Sequence, residues 1–370
     1  MSKSKEIVTE LMAGAGVQIN GINPYDIQVH NENLYDRALS LKSLGLGEAY
    51  MDGWWDCERL DEFVNRILQA GIADKTLGSW KLAVPFLRAY LFNLQSVSRA
   101  RIIADRHYNL DNDLFLSFLD PYNQYSCAYF KETDDLTQAQ INKMDLIIAK
   151  LKLVPSDHVL DIGFGWGGLA RYMTEKTGCK VTGVNISEQQ IKYAKQTLSG
   201  LPVKIINSDF REISGEFTKI VSVGMFEHVG YKNYRTFMRI VHRCLADGGI
   251  FLLHTIGGNS TQIKTDSWIN KYIFPNGMLP SIAQIAKSAE GLFVIEDIHN
   301  LGPHYDKTLM AWNSNFQDAW PELSKRYDNR FRRMWEYYLL SCAGAFRARY
   351  NQLWQLILTK PGCSQPECRI

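Results

Sequence analysis

Short apolar runs recur through the middle of this 370-residue chain at the spacing of strand–helix–strand units. They are HVLDIG (158–163), KVTGVNI (180–186), VKIINSD (203–209), KIVSVGM (219–225) and GIFLLHTIG (249–257). Between them lie amphipathic stretches such as EQQIKYAKQTL (188–198) and YRTFMRIVHRCL (234–245). A preceding helical pattern, LTQAQINKMDLIIAKLKL (136–153), stops just before Pro155. Short β-rich runs joined by helices imply a parallel sheet with helices on both faces. Two later runs, LFVIEDIHNLG (292–302) and KTLMAWNSNF (307–316), read as additional strands, and the Arg- and aromatic-rich stretch 324–358 reads as helical. The expected fold class is α/β, a doubly wound, mostly parallel, seven-stranded sheet. A smaller helical domain over 1–117 is expected ahead of the sheet domain over 118–370.

The first strand runs straight into glycines, VLDIGFGWGG, where Gly163, Gly165 and Gly168 fit G-x-G-x-x-G. In a doubly wound sheet this turn faces the ligand at the carboxyl ends of the strands. A dinucleotide would place its pyrophosphate on the helix N-terminus and its ribose on a carboxylate about 20 residues further on. That carboxylate is missing, because the second strand ends VTGVNIS and Asn185 falls at the ribose position. An acid instead precedes the glycines, Asp161 in LDIG. Acid-x-Gly-x-Gly resembles the loop of the S-adenosylmethionine methyltransferases, where the acid helps hold the amino-acid end of the ligand. The SDF triplet (Ser208, Asp209, Phe210) after the third strand sits where an acid meets the adenine amino group and an aromatic ring stacks on the base. Taken singly, Asp161 also reads as a cap or turn residue, and Asp209 as an ordinary strand-end turn.

Composition narrows the class. With 46% hydrophobic and 22% charged residues the chain reads as a folded protein, and a net charge of +2 gives no global pull toward nucleic acid. No secretory signal and no uninterrupted apolar run of spanning length is visible, so any membrane contact is expected to be peripheral, on the cytoplasmic side. Seven scattered cysteines with no C-x-x-C and no zinc spacing suggest a reducing compartment and no metal site. The stretch 78–108 is basic and amphipathic, with Lys81, Arg88, Arg99, Arg101 and Arg106 among Trp80, Phe86, Leu87, Tyr90, Leu91 and Phe92. Such a pattern suits an anionic membrane surface, and equally a packed helical pair with its basic face in water.

Longer motifs are more specific. GLGEAYMDGWWDCERLD (45–61), HYNLDNDLF (107–115), LDPYNQYSCAYF (119–130), GMFEHVGYKNY (224–234), FLLHTIG (251–257), WINKYIFPNGMLPS (268–281) and CAGAFRAR (342–349) closely resemble segments of the bacterial cyclopropane-fatty-acyl-phospholipid synthases. The resemblance covers nearly the whole chain. It implies a class I methyltransferase fold and methylene transfer from S-adenosylmethionine to a cis double bond in a phospholipid acyl chain, through a carbocation. It also implies a homodimer, peripheral membrane contact through the N-terminal region, and a bound bicarbonate as base. The bicarbonate ligands carry over as the Glu227 and His254 side chains, the Tyr305 hydroxyl and main chain at Cys127 and Ile256. The cofactor contacts carry over as Tyr125 and Ser126, Asp161, Gly163, Gly165 and Gly167, Asn185, Ile186 and Gln190, and Asp209 with Phe210, with Trp166 packed over the ligand or the loop. Tyr122, Tyr125, Tyr129, Phe130, Phe226 and Tyr305 are candidate walls of a water-excluding aromatic cavity, or core-filling residues. Cys342 stands where the family has been assigned an active-site cysteine, yet methyl transfer from a sulfonium needs no covalent intermediate, and a small packing residue is the competing reading.

The chain departs from the family at Phe164, where a cysteine is usual and where the side chain is expected to point away from the ligand. It also departs at Asn109, Asp111 and Asn185. Competing classes are a lipid methyltransferase that adds a methyl branch, an NAD-dependent oxidoreductase, and a non-catalytic lipid-binding module. The missing ribose acid speaks against the second, and the retained Glu227, His254 and Tyr305 against the third.

Overall fold

A computed structural model describes residues 2–72, 112–263 and 265–369. The stretch 78–108, Asn109 and Asp111 therefore lie outside the described residues. The chain divides into two compact units, the first formed by Met1–Phe92, Lys264–Pro275 and Tyr305–Asn351, the second by Asn93–Ile263, Asn276–His304 and Gln352–Ile370.

The first unit is mainly helical. It contains α1 (Lys3–Gly14), a two-residue antiparallel pair of β1 (Gln28–Val29) and β2 (Trp55–Asp56), α2 (Asn33–Met51) and α3 (Leu60–Gln69). The later segments of this unit add the helices Ser267–Tyr272 and Asn329–Arg347 and most of Gly302–Leu323. Much of the 45–61 motif works as a latch here. Burial alone would raise the Glu48 carboxyl, but hydrogen bonds from Lys271, Arg37 and Tyr272 hold it down at about 2. Asp61 is likewise buried between Arg59 and Arg347. Gly344, in CAGAF, lets Asn329–Arg347 close on α3, since a Cβ there would lie 2.4 Å from the Asp61 carbonyl oxygen.

The second unit carries the sheet. Its helices are α4 (Asn112–Phe118), α5 (Leu136–Leu151), α6 (Gly168–Thr177), α7 (Glu188–Thr197), α8 (Tyr234–Cys244) and, after the segment given to the first unit, Ile282–Ala289. Its strands are β3 (His158–Ile162), β4 (Lys180–Asn185), β5 (Val203–Asn207), β6 (Phe217–Val223), β7 (Leu245–Gly258), β8 (Val294–Asn300) and β9 (Asn351–Thr359), in the order β5-β4-β3-β6-β7-β9-β8. The pairs β3–β4, β4–β5, β3–β6 and β6–β7 are parallel, and β8–β9 is antiparallel. Seven strands, mostly parallel, match the expected sheet. Alternate residues of β3 enter opposite faces. Val159 packs with Val181, Val221, Leu252 and the Met144 and Ile147 side chains of α5, while Leu160 and Ile162 join Phe217, Phe237, Phe251 and Leu253.

Two sequence expectations are corrected. KTLMAWNSNF (307–316) is helical, inside Gly302–Leu323, and its buried Leu309, Trp312 and Phe316 follow helical spacing. The seventh strand is instead Asn351–Thr359, whose residues 352–359 are all buried. Buried on both faces, a strand shows no alternation, and a short apolar run of this kind is indistinguishable from a helix by period.

Candidate active site

The loop after β3 is shaped by glycine. Gly163, Gly165 and Gly167 take φ of 86°, 56° and 88°, the left-handed region that side chains avoid. Gly168 opens α6 at ordinary φ, but a Cβ there would lie 1.7 Å from the Tyr122 carbonyl oxygen. Phe164 turns into a cluster with Ile191, Ala194 and Leu198, against Gly183. Asn185, at the end of β4, ties this loop to the start of α7. Its Nδ2 donates to Gly165 O (3.2 Å) and Gln190 Oε1 (2.8 Å), and its Oδ1 accepts from the Ile186 (2.8 Å) and Ser187 (3.2 Å) amides. Trp166 is buried, donates from Nε1 to Asn112 Oδ1 (3.0 Å), and packs with Phe115 and Tyr125.

Asp161 lies at the centre of the sheet, opposite Gly183 on β4 and Val221 on β6. It is buried, its Oδ2 has no hydrogen-bond partner, and burial pushes its carboxyl up to about 7 against the opposing pull of Lys143. An acid raised in the fold is protonated there at pH values where the unfolded chain has already ionised, so stability falls as pH rises from its ordinary value near 3.8 through about 7. Asp161→Asn removes that penalty. Its melting temperature is expected to exceed the parent's at pH 8, with the gap closing toward pH 4; equal melting temperatures at both pH values would contradict this reading of Asp161. Asp209, after β5, is buried and accepts from the Arg211 amide (2.9 Å) and guanidinium (3.1 Å). Phe210 is part of the core, 5.5 Å from the Phe237 ring, with the Arg211 guanidinium over its own ring.

The other half of the candidate site lies beyond β6 and within β7. Glu227 sits on the helical turn Phe226–His228, and its Oε1 accepts the Ile256 amide at 2.6 Å. Its Oε2 is buried without a partner, and burial pushes its carboxyl up to about 7. The Ile256 N–H is thus directed at Glu227. His254, opposite Val223, is buried and held neutral, its pKa lowered first by burial and then by Lys143 and Lys150. The Gln355 amide nitrogen faces its Nδ1 at 3.2 Å, which leaves the ring proton on Nε2, an atom with no partner. Cys127 is buried with its Sγ 3.2 Å from Ala128 O, and Ser126 accepts from Lys143. Two buried polar atoms are thus left without a partner, a carboxyl oxygen on the turn after β6 and an imidazole nitrogen on β7.

The aromatic candidates separate. Phe226 is fully buried, stacks on Tyr234 at 4.3 Å and belongs to the core. Tyr122 packs edge-on against Tyr172, and Tyr129 against His299 and His304. The Phe130 amide donates to His304 Nδ1 at 3.1 Å. Tyr305 and Cys342 belong to the first unit, where Tyr305 lies on Phe346 at 4.6 Å. Burial, with Asp266 second, pushes the Cys342 thiol up to about 12, which removes the thiolate a covalent role needs.

Sequence reasoning missed the buried polar residues of α5. Gln140, Lys143 and Lys150 are all fully buried, with Lys143 bonded to Gln124 and Ser126. The signal was present, since positions 140, 143, 147 and 150 form the helix's inner stripe and three of them are polar.

Residues 95–356 match the family model described as Mycolic acid cyclopropane synthetase. The cyclopropane-fatty-acyl-phospholipid synthase of Escherichia coli (strain K12) is 53% identical over 96% of this chain and 93% of its own length. The tuberculostearic acid methyltransferase of Mycobacterium tuberculosis is 31% identical over 90% of this chain and 83% of its own. Among solved structures, mycolic acid cyclopropane synthase CmaA1 complexed with SAH and CTAB is 33% identical, covers 70% of this chain and 98% of its own, and superposes with a TM-score of 0.66. A likeness that takes in most of the chain, glycine loop and sheet together, admits one assignment: this methyltransferase-class enzyme belongs to the mycolic acid cyclopropane synthetase family.

Proposed function

We propose that the protein transfers a methylene group from S-adenosylmethionine to the cis double bond of an unsaturated acyl chain in a membrane phospholipid, closing a cyclopropane ring. The observation that carries the reading is the pair of unpartnered buried atoms, Glu227 Oε2 and His254 Nε2, at the ligand edge of a methyltransferase sheet. The 53% identity to a phospholipid cyclopropane synthase supports the substrate. The alkene π pair forms a bond to the sulfonium methyl carbon, and the carbon–sulfur pair leaves with sulfur as S-adenosylhomocysteine. The neighbouring alkene carbon is left cationic. Loss of a proton from the new methyl group frees a C–H pair that closes the ring. A bicarbonate held in the site would supply the base for that proton. Glu227 and His254 would hold it, with main chain at Cys127 as a further ligand; the Ile256 N–H, already given to Glu227, instead orients that carboxyl. Neutral His254 adds no positive charge beside the cation, and buried walls keep out the water that would quench it.

In the cofactor half, Asp161, the Gly163–Gly167 loop, Trp166, Asn185, Ile186, Gln190, Tyr125 and Ser126 hold the donor, with Asp209 and Phe210 at the adenine. Residues 1–117, with the basic-aromatic stretch 78–108, dock reversibly on the inner face of the cell membrane, and a homodimer doubles that surface. Among the described residues no helix is long and apolar enough to cross a membrane.

The test is S-adenosylhomocysteine release in the presence of vesicles. Vesicles of cis-unsaturated phospholipid are expected to support turnover, and fully saturated ones none. Equal release with both would overturn the reading. Methyl branching is the second reading, favoured by the likeness to a tuberculostearic acid methyltransferase, and it differs only in the fate of the carbocation.

A further inference from the structure

A lysine sealed inside a protein is an expensive packing residue, because losing its water penalises the charge unless acceptors or anions replace it. Lys143 is fully buried in the middle of α5. Its Nζ donates to Gln124 Oε1 at 2.7 Å and Ser126 Oγ at 2.9 Å, both uncharged. One turn earlier, Gln140 donates to the carbonyls of Ser126 (3.0 Å) and Gln124 (3.3 Å). The same loop is braced from its other end by Asp120, whose carboxylate accepts the Tyr122 and Gln124 amides at 2.8 Å each. The helix thus grips the segment that carries Tyr125 and Ser126 by both its main chain and its side chains.

The charges that act on Lys143 are few. Burial lowers its pKa to about 8, and Asp120, Cys127 and Asp161 pull the other way. Asp161 in turn has burial raising its carboxyl and only Lys143 lowering it. At His254 the charges of Lys143 and Lys150 add to burial in favouring the neutral ring. One buried cation therefore favours ionised Asp161 and neutral His254, opposite effects on the two halves of the site.

We propose that Lys143 is a positioning residue for the methyl donor: its ammonium, beneath the 120–127 loop, fixes Gln124 and Ser126 and with them the segment that carries Tyr125 and Ser126 to the donor. The same charge acts on Asp161, whose unpartnered Oδ2 receives the ammonium of the ligand's amino-acid end. The proposal rests on the donor assignment above. Lysine is needed for its charge; a neutral side chain of the same length fills the space but leaves Asp161 protonated to higher pH.

The experiment is calorimetric titration of the full chain with S-adenosylhomocysteine across the pH range in which Asp161 titrates. In the parent, binding weakens as pH falls and Asp161 takes up a proton. Lys143→Met is expected to weaken binding at neutral pH at least tenfold and to move that acid limb upward by about one pH unit, the equivalent of a tenfold change. Asp161→Asn is expected to flatten the limb, and adding Lys143→Met to it to produce no further shift. Unchanged binding, or a uniform loss with no movement of the limb, overturns the proposal. If Lys143→Met does not fold, Gln124→Met, which keeps the cation and removes one acceptor, is expected to weaken binding without moving the limb; unchanged affinity in that variant overturns the proposal. A parent chain that binds no S-adenosylhomocysteine overturns the donor assignment itself, a result distinguishable from failure at Lys143 alone.

Discussion

Glu227→Gln is expected to slow turnover by about two to four orders of magnitude, the range of a lost proton-transfer group, while S-adenosylhomocysteine binding changes less than about twofold. The amide preserves shape and the hydrogen bond from Ile256, now held at 2.6 Å, but cannot ionise. Oε2 is buried and has no hydrogen-bond partner among the described residues, which leaves it open to a group present only in the catalytic step. Burial brings the carboxyl up to about 7, so a limb of the kcat profile near that pH is expected in the parent and absent from the variant. His254→Ala is expected to follow, because it removes the Nε2–H on the neighbouring strand. Lost S-adenosylhomocysteine binding in both variants would contradict the assignment of these residues to the chemical step.

Gly168→Ala is the second large effect, and it falls on the donor instead. The added Cβ would sit 1.7 Å from the Tyr122 carbonyl oxygen and 2.8 Å from the Gln124 amide nitrogen, so either α6 or the 120–127 loop must move. Overpacking of this kind costs about 1–3 kcal/mol, and displacement of the loop holding Tyr125 and Ser126 is expected to weaken S-adenosylhomocysteine binding at least tenfold. Gly200→Ala is the control. Gly200 also has positive φ, 85°, but a Cβ there meets nothing within 4 Å. It is expected to lose about 1 kcal/mol from backbone strain with binding intact. Denaturant midpoints and calorimetry separate the two; equal binding by Gly168→Ala and Gly200→Ala would contradict a steric role for Gly168.

How far the molecule is readable before folding depends on whether its signals are local. The glycine loop, the five central strands and the helix ahead of Pro155 were legible because each carries its own period and punctuation. The last strand was not, since LWQLILT, buried on both faces, carries no alternation. The 307–316 run misled as a short apolar and aromatic run, although its buried residues recur at helical intervals. The make-up of the first unit was hidden for another reason. Contacts such as Lys271 to Glu48 and Arg347 to Asp61 join residues more than two hundred positions apart, and no local pattern announces a partner that distant. Within the candidate site, Glu227 and His254 stood out as polar groups at strand ends. Phe226, beside Glu227, carried the same aromatic signal as Tyr125 and proved to be core, because the sequence gives residue type and not facing. Lys143 was the opposite case, a polar residue on an apolar stripe whose importance appears only when its two acceptors are seen.

Methylene transfer itself is tested most directly with trideuteriomethyl S-adenosylmethionine and vesicles of cis-unsaturated phospholipid, followed by mass spectrometry of the acyl chains. A saturated ring retaining two of the three deuterium atoms is the expected product, since ring closure expels one deuteron from the new methyl group. A chain that keeps all three would mean simple methyl branching and would contradict the cyclopropane account.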